Sequence, residues 1–416
     1  MPENDQGQFD PLAGLHRQWA GLIIITSLAW LGAYVSLRSW WGAGPAARWL
    51  ALSAPVMLYL LASLRRLLPH NQRVGEGRLL NRLGVGNLMS VLRGVLLAWL
   101  AGWVLSPLPV GWMAWLPGAL YTLAALIDLV DGYAARRTNQ ATRLGELLDM
   151  QLDGLGVLVA ALLTVNYRQV PAWYLLVALA RYLFLAGIAL RKRLGLPVYE
   201  LPERASRRPF AGFQMGFLAV VLWPLFTPPA THWAAALFAA PFLIGFGYDW
   251  LLVSGSIGPA GQPNLRRPSR FAGPGEAYAQ WVKVQMAHWI SPLLRGALVA
   301  SLGTALTFRT IGFPNLPARQ PILWPVNGTS SVALGLAVMG AMLLAFGVTT
   351  RLGALLILFS SGLLTRGLPL AWPDYVAITC AVTLFYLGSG SSATWKAEES
   401  LLYRRLGETY HPKEAR

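Results

Sequence analysis

Long apolar stretches alternate with short polar connections along the whole chain. A helix needs about 20 consecutive apolar residues to cross the hydrocarbon core of a bilayer. Twelve stretches come close to this length, and they lie near residues 19–37, 49–64, 88–106, 113–130, 149–166, 172–190, 210–226, 231–253, 288–307, 329–348, 352–365 and 373–390. The pattern therefore predicts an all-α polytopic membrane protein with about twelve transmembrane helices.

The composition points the same way. Of the 416 residues, 55% are hydrophobic and only 12% are charged, whereas a soluble domain carries about 25% charged residues. The chain has 18 tryptophans, a residue that favours the boundary between lipid and water. A single cysteine, Cys380, excludes an internal disulfide. The five histidines show no spacing typical of zinc ligands.

The charge distribution predicts the orientation. The chain has 34 Lys and Arg against 18 Asp and Glu, a net charge of +16. Most of the basic residues fall in alternate connections, which the positive-inside rule assigns to the cytoplasm. We therefore expect both termini in the cytoplasm and the basic connections beside anionic lipid headgroups. Because membrane crossings separate the basic clusters, we expect no nucleic acid partner.

Four aspartates lie close together in the sequence. Asp128 and Asp131 fall at the inner end of the fourth predicted helix, and Asp149 and Asp153 at the start of the fifth. Spacings of three and four residues place each pair on one helix face, and the short connection allows the two faces to meet. Crowded carboxylates repel each other unless cations lie between them, and their oxygen atoms suit Mg²⁺ or Mn²⁺. The sequence thus predicts a metal site at the cytoplasmic edge of the membrane.

Residues around the aspartates suggest the chemistry. Gly132 and Gly145 would leave room between the two helices for a flat ligand, and Arg136 can bind phosphate oxygens. Two metal ions and a diphosphate are one known arrangement for phosphoryl transfer, in which Asp153 would accept a hydroxyl proton. Two alternatives stay open: an ion-coupled transporter that uses the same carboxylates, and a non-catalytic membrane scaffold.

The pattern D-x2-D-G-x2-A-R-x8-G-x3-D-x3-D, from Asp128 to Asp153, resembles the signature of the CDP-alcohol phosphotransferase (phosphatidyltransferase) family. The resemblance implies a membrane enzyme of phospholipid biosynthesis in which an acceptor alcohol displaces CMP from a CDP-linked lipid such as CDP-diacylglycerol. It also implies that the four aspartates hold two Mg²⁺ or Mn²⁺ ions and that Asp153 acts as the general base. The residues expected to bind the nucleotide are Gly132, Ala135, Arg136 and Gly145.

A second, weaker match lies upstream. The segment N87-L-M-S-V-L-R93 is similar to the family pattern N-x-x-T-x-x-R, with Ser90 in place of Thr. Asn87 and Arg93 are therefore expected to face the same nucleotide cavity. We predict a six-helix core at residues 76–256, preceded by two additional transmembrane helices at residues 1–75.

The acceptor site is expected to be basic. Arg181 falls in the middle of the sixth predicted helix, where a charge is costly and usually functional. Arg207 and Arg208 begin a segment, R207-R-P-F-A-G-F-Q214, that resembles the opening of the fifth core helix of the family. With Arg181 they would bind a phosphate group on the acceptor alcohol.

The last third of the chain is predicted to be a separate module. A Gly- and Pro-rich cytoplasmic linker at residues 257–285 precedes four apolar stretches at residues 286–416. Their short motifs, G347-V-T-T-R351-L-G353 and L-G388-S-G390, are similar to those of DoxX-like four-helix membrane proteins. Family resemblance also predicts a homodimer. We expect the protein in the plasma (inner) membrane of a bacterium, with its active site facing the cytoplasm.

Overall fold

A computed structural model of the protein describes residues 11–73, 77–137, 142–201, 207–257, 290–311, 328–346, 349–366 and 370–388. Within these ranges, the side chains at 129–137, 207–209, 306–311 and 328–330 lie outside the description. The structural statements below concern the described residues alone.

The described residues form twelve α-helices, joined by short 3₁₀ turns and two isolated β-bridges, and they contain no strand. The prediction of an all-α fold is therefore confirmed, and every predicted apolar stretch overlaps one helix. The helices are α1 (Pro11–Trp41), α2 (Ala43–Leu67), α3 (Val85–Ala101), α4 (Leu116–Arg137), α5 (Arg143–Asn166), α6 (Leu175–Arg193), α7 (Arg207–Val221), α8 (Ala230–Val253), α9 (Ser291–Ile311), α10 (Gly328–Ala345), α11 (Thr350–Leu364) and α12 (Trp372–Leu387).

Five helices of the described part are long and apolar enough to cross a membrane: α1, α2, α5, α6 and α8. The apolar parts of α3, α7, α10, α11 and α12 are shorter, between 10 and 17 residues. Large apolar side chains on α1, such as Ile24, Ile25 and Leu28, are more than 60% exposed. Such exposure is favourable where the surrounding solvent is lipid. The fold is that of an integral membrane protein.

The first compact unit comprises Met1–Leu183 and Ala211–Pro224. In this unit α3 packs against α2, α4 and α5, and two glycines, Gly94 within α3 and Gly102 directly after it, make the approach to α2 close. A Cβ at Gly94 would lie 2.5 Å from Leu60 Cδ1, and a Cβ at Gly102 would overlap the Trp49 ring. The Trp49 indole also donates a hydrogen bond of 2.9 Å to the carbonyl of Trp99. These contacts fix α3, which carries part of the site, between its neighbours.

The second compact unit comprises Phe184–Phe210 and Leu225–Arg416. Its helices α9 to α12 surround a buried apolar core that includes Leu298, Leu344, Ile357 and Cys380. Helix α8 packs against α12 within this unit, so α8 groups with the C-terminal helices. The sequence-based domain boundaries and the likeness to DoxX-like proteins stay predictions, and most of the predicted linker lies outside the described residues.

Helices α10 and α11 cross at a pair of glycines. A Cβ at Gly340 would lie 2.9 Å from the carbonyl oxygen of Gly353, and one at Gly353 would lie 3.1 Å from the carbonyl oxygen of Gly340. Small residues permit this close approach of two membrane helices, and larger ones prevent it.

We expect Gly340→Val to lower the stability of the C-terminal helices. Overpacking of a tight contact costs about 1–3 kcal/mol, which thermal unfolding in detergent should record as a lower midpoint. Gly335→Val is the matched control on the same helix, because a Cβ at Gly335 would meet nothing within 4 Å. Equal shifts in the two variants would contradict the glycine crossing.

Candidate functional site

The centre of the site is Arg93, which lies on α3 with only 1% of its surface exposed. Its guanidinium group donates hydrogen bonds to Asp128 on α4 and Asp153 on α5. The carboxylate of Asp149 lies 3.8 Å from the same guanidinium. A buried arginine therefore brings together three of the four aspartates that the sequence predicted to form one cluster.

Ser90 adds a second contact between α3 and α5. Its hydroxyl donates a hydrogen bond of 2.8 Å to Asp149 Oδ1, and the residue is 2% exposed. Ser90 and Arg93 lie three residues apart and so share one helix face. Asn87 continues this face by one more turn toward the N-terminus of α3.

Asn87 contacts the start of α5 rather than the carboxylates. Its Oδ1 accepts a hydrogen bond of 2.9 Å from the hydroxyl of Thr142, which in turn accepts one of 3.1 Å from the backbone amide of Gly145. Thr142 is thus the N-cap of α5. The three polar residues of α3 each meet a different point along one face of α5.

The space beside Gly145 is filled by protein. A Cβ at this position would lie 2.9 Å from Asn87 Oδ1, so the absence of a side chain permits the Asn87 amide to approach α5. The predicted roles of Gly145, Asn87 and Arg93 in binding a nucleotide stay predictions. In this structure their described partners are other residues of the site.

For most of the remaining predicted residues, the structure describes the backbone but not the side chain. Asp131, Gly132, Ala135 and Arg136 belong to α4, and Arg207 and Arg208 begin α7, but their side chains lie outside the described ones. The guanidinium of Arg181 donates a hydrogen bond of 2.5 Å to the carbonyl of Met150 on α5. This contact places Arg181 within one helical turn of both Asp149 and Asp153.

The three described carboxylates supply the kind of ligand atom that divalent metal ions prefer, but Arg93 lies between them. The side chains of Asp128, Asp149 and Asp153 are 30%, 36% and 47% exposed, whereas that of Arg93 is 2% exposed. One arginine neutralises one of the three charges, and the open carboxylates offer oxygen ligands of the kind that Mg²⁺ and Mn²⁺ prefer. Among the described side chains, no group of three or more His, Cys, Asp or Glu has an arrangement that could hold a metal ion. Arg93 lies among the aspartates instead.

Two residues of the site, Thr142 and Asn71, were not predicted from the sequence, and the contact made by a third, Ser90, was not expected. Thr142 precedes the apolar stretch of α5, and a threonine in that position is a recognised helix-start signal. Asn71, whose side chain accepts a 3.0 Å hydrogen bond from Asn87, lies in a polar connection and gave no such signal. Ser90 was noted only as a variant of a family position.

Comparison with known proteins agrees with the geometry. Residues 83–244 match the CDP-alcohol phosphatidyltransferase family, and this range contains all three helices that meet at Arg93. A CDP-diacylglycerol–glycerol-3-phosphate 3-phosphatidyltransferase of Pseudomonas fluorescens is 32% identical over 184 residues, which cover 42% of this chain and 84% of the relative. The chain belongs to the CDP-alcohol phosphatidyltransferase family.

Other relatives match over shorter ranges. A protein of Mycobacterium tuberculosis named putative cardiolipin synthase is 33% identical over 144 residues, covering 34% of this chain and 65% of the relative. A phosphatidyltransferase of Bacillus subtilis with the same name as the Pseudomonas protein is 38% identical over 79 residues, covering 19% of this chain and 41% of the relative. The chain thus spans about two thirds or less of the length of these relatives. No solved structure matches the chain significantly.

Proposed function

We propose that the protein transfers a phosphatidyl group from a CDP-linked lipid, such as CDP-diacylglycerol, to an acceptor alcohol, with release of CMP. The observation that carries the proposal is the convergence of Asp128, Asp149 and Asp153 on Arg93, within the range that matches the family. The names of the Pseudomonas and Bacillus relatives support CDP-diacylglycerol as the donor.

In the proposed reaction, the acceptor hydroxyl oxygen forms a bond to the phosphorus of the phosphatidyl group, and the bond from that phosphorus to the CMP oxygen breaks. CMP leaves with the electron pair, and Asp153 takes the proton of the hydroxyl. Asp153 suits this role because its side chain is the most exposed of the three described carboxylates, at 47%. An exposed carboxylate can reach an acceptor that enters from water.

Family members are generally dependent on divalent metal ions. Two Mg²⁺ or Mn²⁺ ions, held by Asp128, Asp131, Asp149 and Asp153, would offset the negative charge of the diphosphate. The chain itself holds Asp149 through the Ser90 hydroxyl and Asp128 and Asp153 through Arg93. These contacts keep the carboxylates oriented before substrate binds.

We infer that the acceptor carries a phosphate, as glycerol 3-phosphate does, and that Arg181 binds it. Arg181 is half-buried and bonded to α5 at Met150, beside the proposed base. The name of the Pseudomonas relative supports this acceptor class. The side chains of Arg207 and Arg208 lie outside the described ones, and their part in binding the acceptor stays a prediction from the sequence.

We expect Arg181→Ala to raise the KM for a phosphorylated acceptor about 10- to 100-fold, because a charge-assisted hydrogen bond contributes about 1.5–3 kcal/mol. The KM for CDP-diacylglycerol should change little. Initial rates at varied acceptor concentration measure both constants. Arg38→Ala is the control, since Arg38 is exposed and lies near the end of α1. An unchanged acceptor KM in Arg181→Ala would exclude this role.

The proposed function is tested by incubating the purified protein with CDP-diacylglycerol, Mn²⁺ or Mg²⁺ and a panel of alcohols. The expected result is CMP release that depends on metal ion and acceptor, with a lipid product of the corresponding mass. Ion flux across sealed vesicles without CMP release would favour the transporter. Absence of both activities would favour the scaffold.

We further propose that the protein lies in the plasma (inner) membrane of a bacterium, with both termini and the site in the cytoplasm. The distribution of Lys and Arg supports this orientation, and the basic connections would then lie beside anionic lipid headgroups. A homodimer also stays a proposal.

A further inference from the structure

Helix α1 and the connection that follows α2 make specific polar contacts with the segment that leads into α3. Gln18 of α1 binds this segment twice: its Nε2 donates to the carbonyl of Asn81 at 3.0 Å, and its Oε1 accepts from the amide of Leu83 at 2.9 Å. Gly14 lies one turn earlier on α1, where a Cβ would be 3.3 Å from the same Asn81 oxygen. Helix α1 therefore binds two backbone groups of the segment just before α3, the carbonyl of Asn81 and the amide of Leu83.

Asn71, which lies four residues after the end of α2, binds the same segment. Its Nδ2 donates to the carbonyl oxygens of Leu80 and Arg82 at 3.2 and 2.9 Å. Its Oδ1 accepts the 3.0 Å hydrogen bond from Asn87 on α3. Asn71 has no exposed surface, and a buried amide with this many partners fixes its neighbours in one arrangement.

The contacts continue to α5. Asn87 accepts from Thr142, the N-cap of α5, and the backbone amide of Arg143 donates 2.9 Å to the carbonyl of Gln72. A chain of hydrogen bonds thus runs from α1 and the connection that follows α2 to the starts of α3 and α5. Those two helices carry Ser90 and Arg93, and Asp149 and Asp153.

Gln18 and Asn71 both lie outside residues 83–244, the range that matches the family. We propose that α1, α2 and their connection to α3 form a clamp that sets the positions of α3 and α5 relative to each other, with Gln18 and Asn71 as its positioning residues. The described contacts of Gln18 and Asn71 do not include the carboxylates of Asp128, Asp149 or Asp153. The clamp acts on the N-terminal ends of α3 and α5. Its effect on catalysis rests on the function proposed above.

The test compares the full-length Gln18→Ala/Asn71→Ala protein with the unaltered protein. Backbone hydrogen exchange should become faster at residues 83–93 while exchange in the second half of α5 stays the same. Mn²⁺ binding should weaken about tenfold or more, and kcat for CMP release should fall by about 10- to 100-fold, as expected for a displacement near 1 Å at reacting groups. Gln72→Ala is the control, because the Gln72 side chain makes only a 3.5 Å contact with the carbonyl of Pro69.

A purely structural role predicts a different result. It would lower the unfolding midpoint and raise exchange throughout the protein, with the Mn²⁺ affinity of the folded fraction unchanged, and this outcome would overturn the proposal. Unchanged exchange at residues 83–93 would overturn it as well. If the double variant does not fold, Gln18→Ala alone is measured in the same way, since Gln18 is half-buried. An unaltered protein that releases no CMP would refute the proposed function instead, and local exchange and Mn²⁺ binding would still test the clamp.

Discussion

Asp153→Asn should reduce CMP release by about 10²- to 10⁴-fold, the usual contribution of a general base. The amide keeps the size of the side chain and can still accept a hydrogen bond from Arg93, but it cannot take a proton from the acceptor hydroxyl. We therefore expect the main loss in kcat, measured at saturating Mn²⁺ and CDP-diacylglycerol because Asp153 is also a proposed metal ligand. Initial rates of CMP formation at saturating acceptor give this value.

The matched control is Glu146→Gln. Glu146 lies on α5, two turns before Asp153, and its side chain is also 47% exposed. It pairs with Arg143 at 3.1 Å on the surface, and exposed pairs of this kind contribute about 0–1 kcal/mol. The control should keep nearly full activity. If Asp153→Asn also keeps more than about a tenth of the activity, another group must accept the proton.

Part of this site was accessible from the sequence, for a physical reason. Residues three or four apart on a helix share a face, so the spacing of Asp149 and Asp153 predicted that their side chains point the same way. The family resemblance, not the spacing, predicted that Asn87 and Arg93 face the same cavity. The short connection between α4 and α5 predicted that the two acidic helix ends lie near each other, and in the structure Asp128 and Asp153 both bind Arg93 of α3. The assembly of three aspartates followed from these local rules.

The partner of those aspartates did not follow from them. That Arg93 faces a nucleotide stays a prediction, and local spacing did not predict that its guanidinium binds Asp128 and Asp153, which lie 35 and 60 residues away in the sequence. Helical spacing says which face a residue occupies, but it does not say which helix packs there. The contacts of Asn71 and Gln18 depend on the path of a polar connection, for which no periodic pattern exists. Long-range packing therefore determines the partners of Arg93 as well as the contacts of Asn71 and Gln18.

The largest effect on stability is expected from Arg93→Met in the absence of divalent metal ions. Methionine occupies a similar volume but carries no charge, so the carboxylates of Asp128, Asp149 and Asp153 lose the cation between them. Removal of one partner from a fully buried ion pair costs about 3–5 kcal/mol, and the cost here is smaller because the three carboxylates are 30–47% exposed. The repulsion among three carboxylates adds to this cost. Thermal unfolding in the presence of a chelator should therefore show a much lower midpoint than that of the unaltered protein.

Addition of Mn²⁺ should recover most of this loss, because a ligand that binds only the folded state stabilises it by an amount that grows with the logarithm of its concentration over its Kd. Removal of Arg93 also removes a positive charge that competes with the metal ion, so the variant should gain more from Mn²⁺ than the unaltered protein does. Arg143→Met is the control: its exposed pair with Glu146 contributes about 0–1 kcal/mol, and its small effect should not depend on Mn²⁺. Two results would contradict this prediction: an equal loss of stability in both variants, or an Arg93→Met midpoint that Mn²⁺ leaves unchanged. Either result would mean that the three aspartates do not form one site in which a metal ion can take the place of the Arg93 guanidinium.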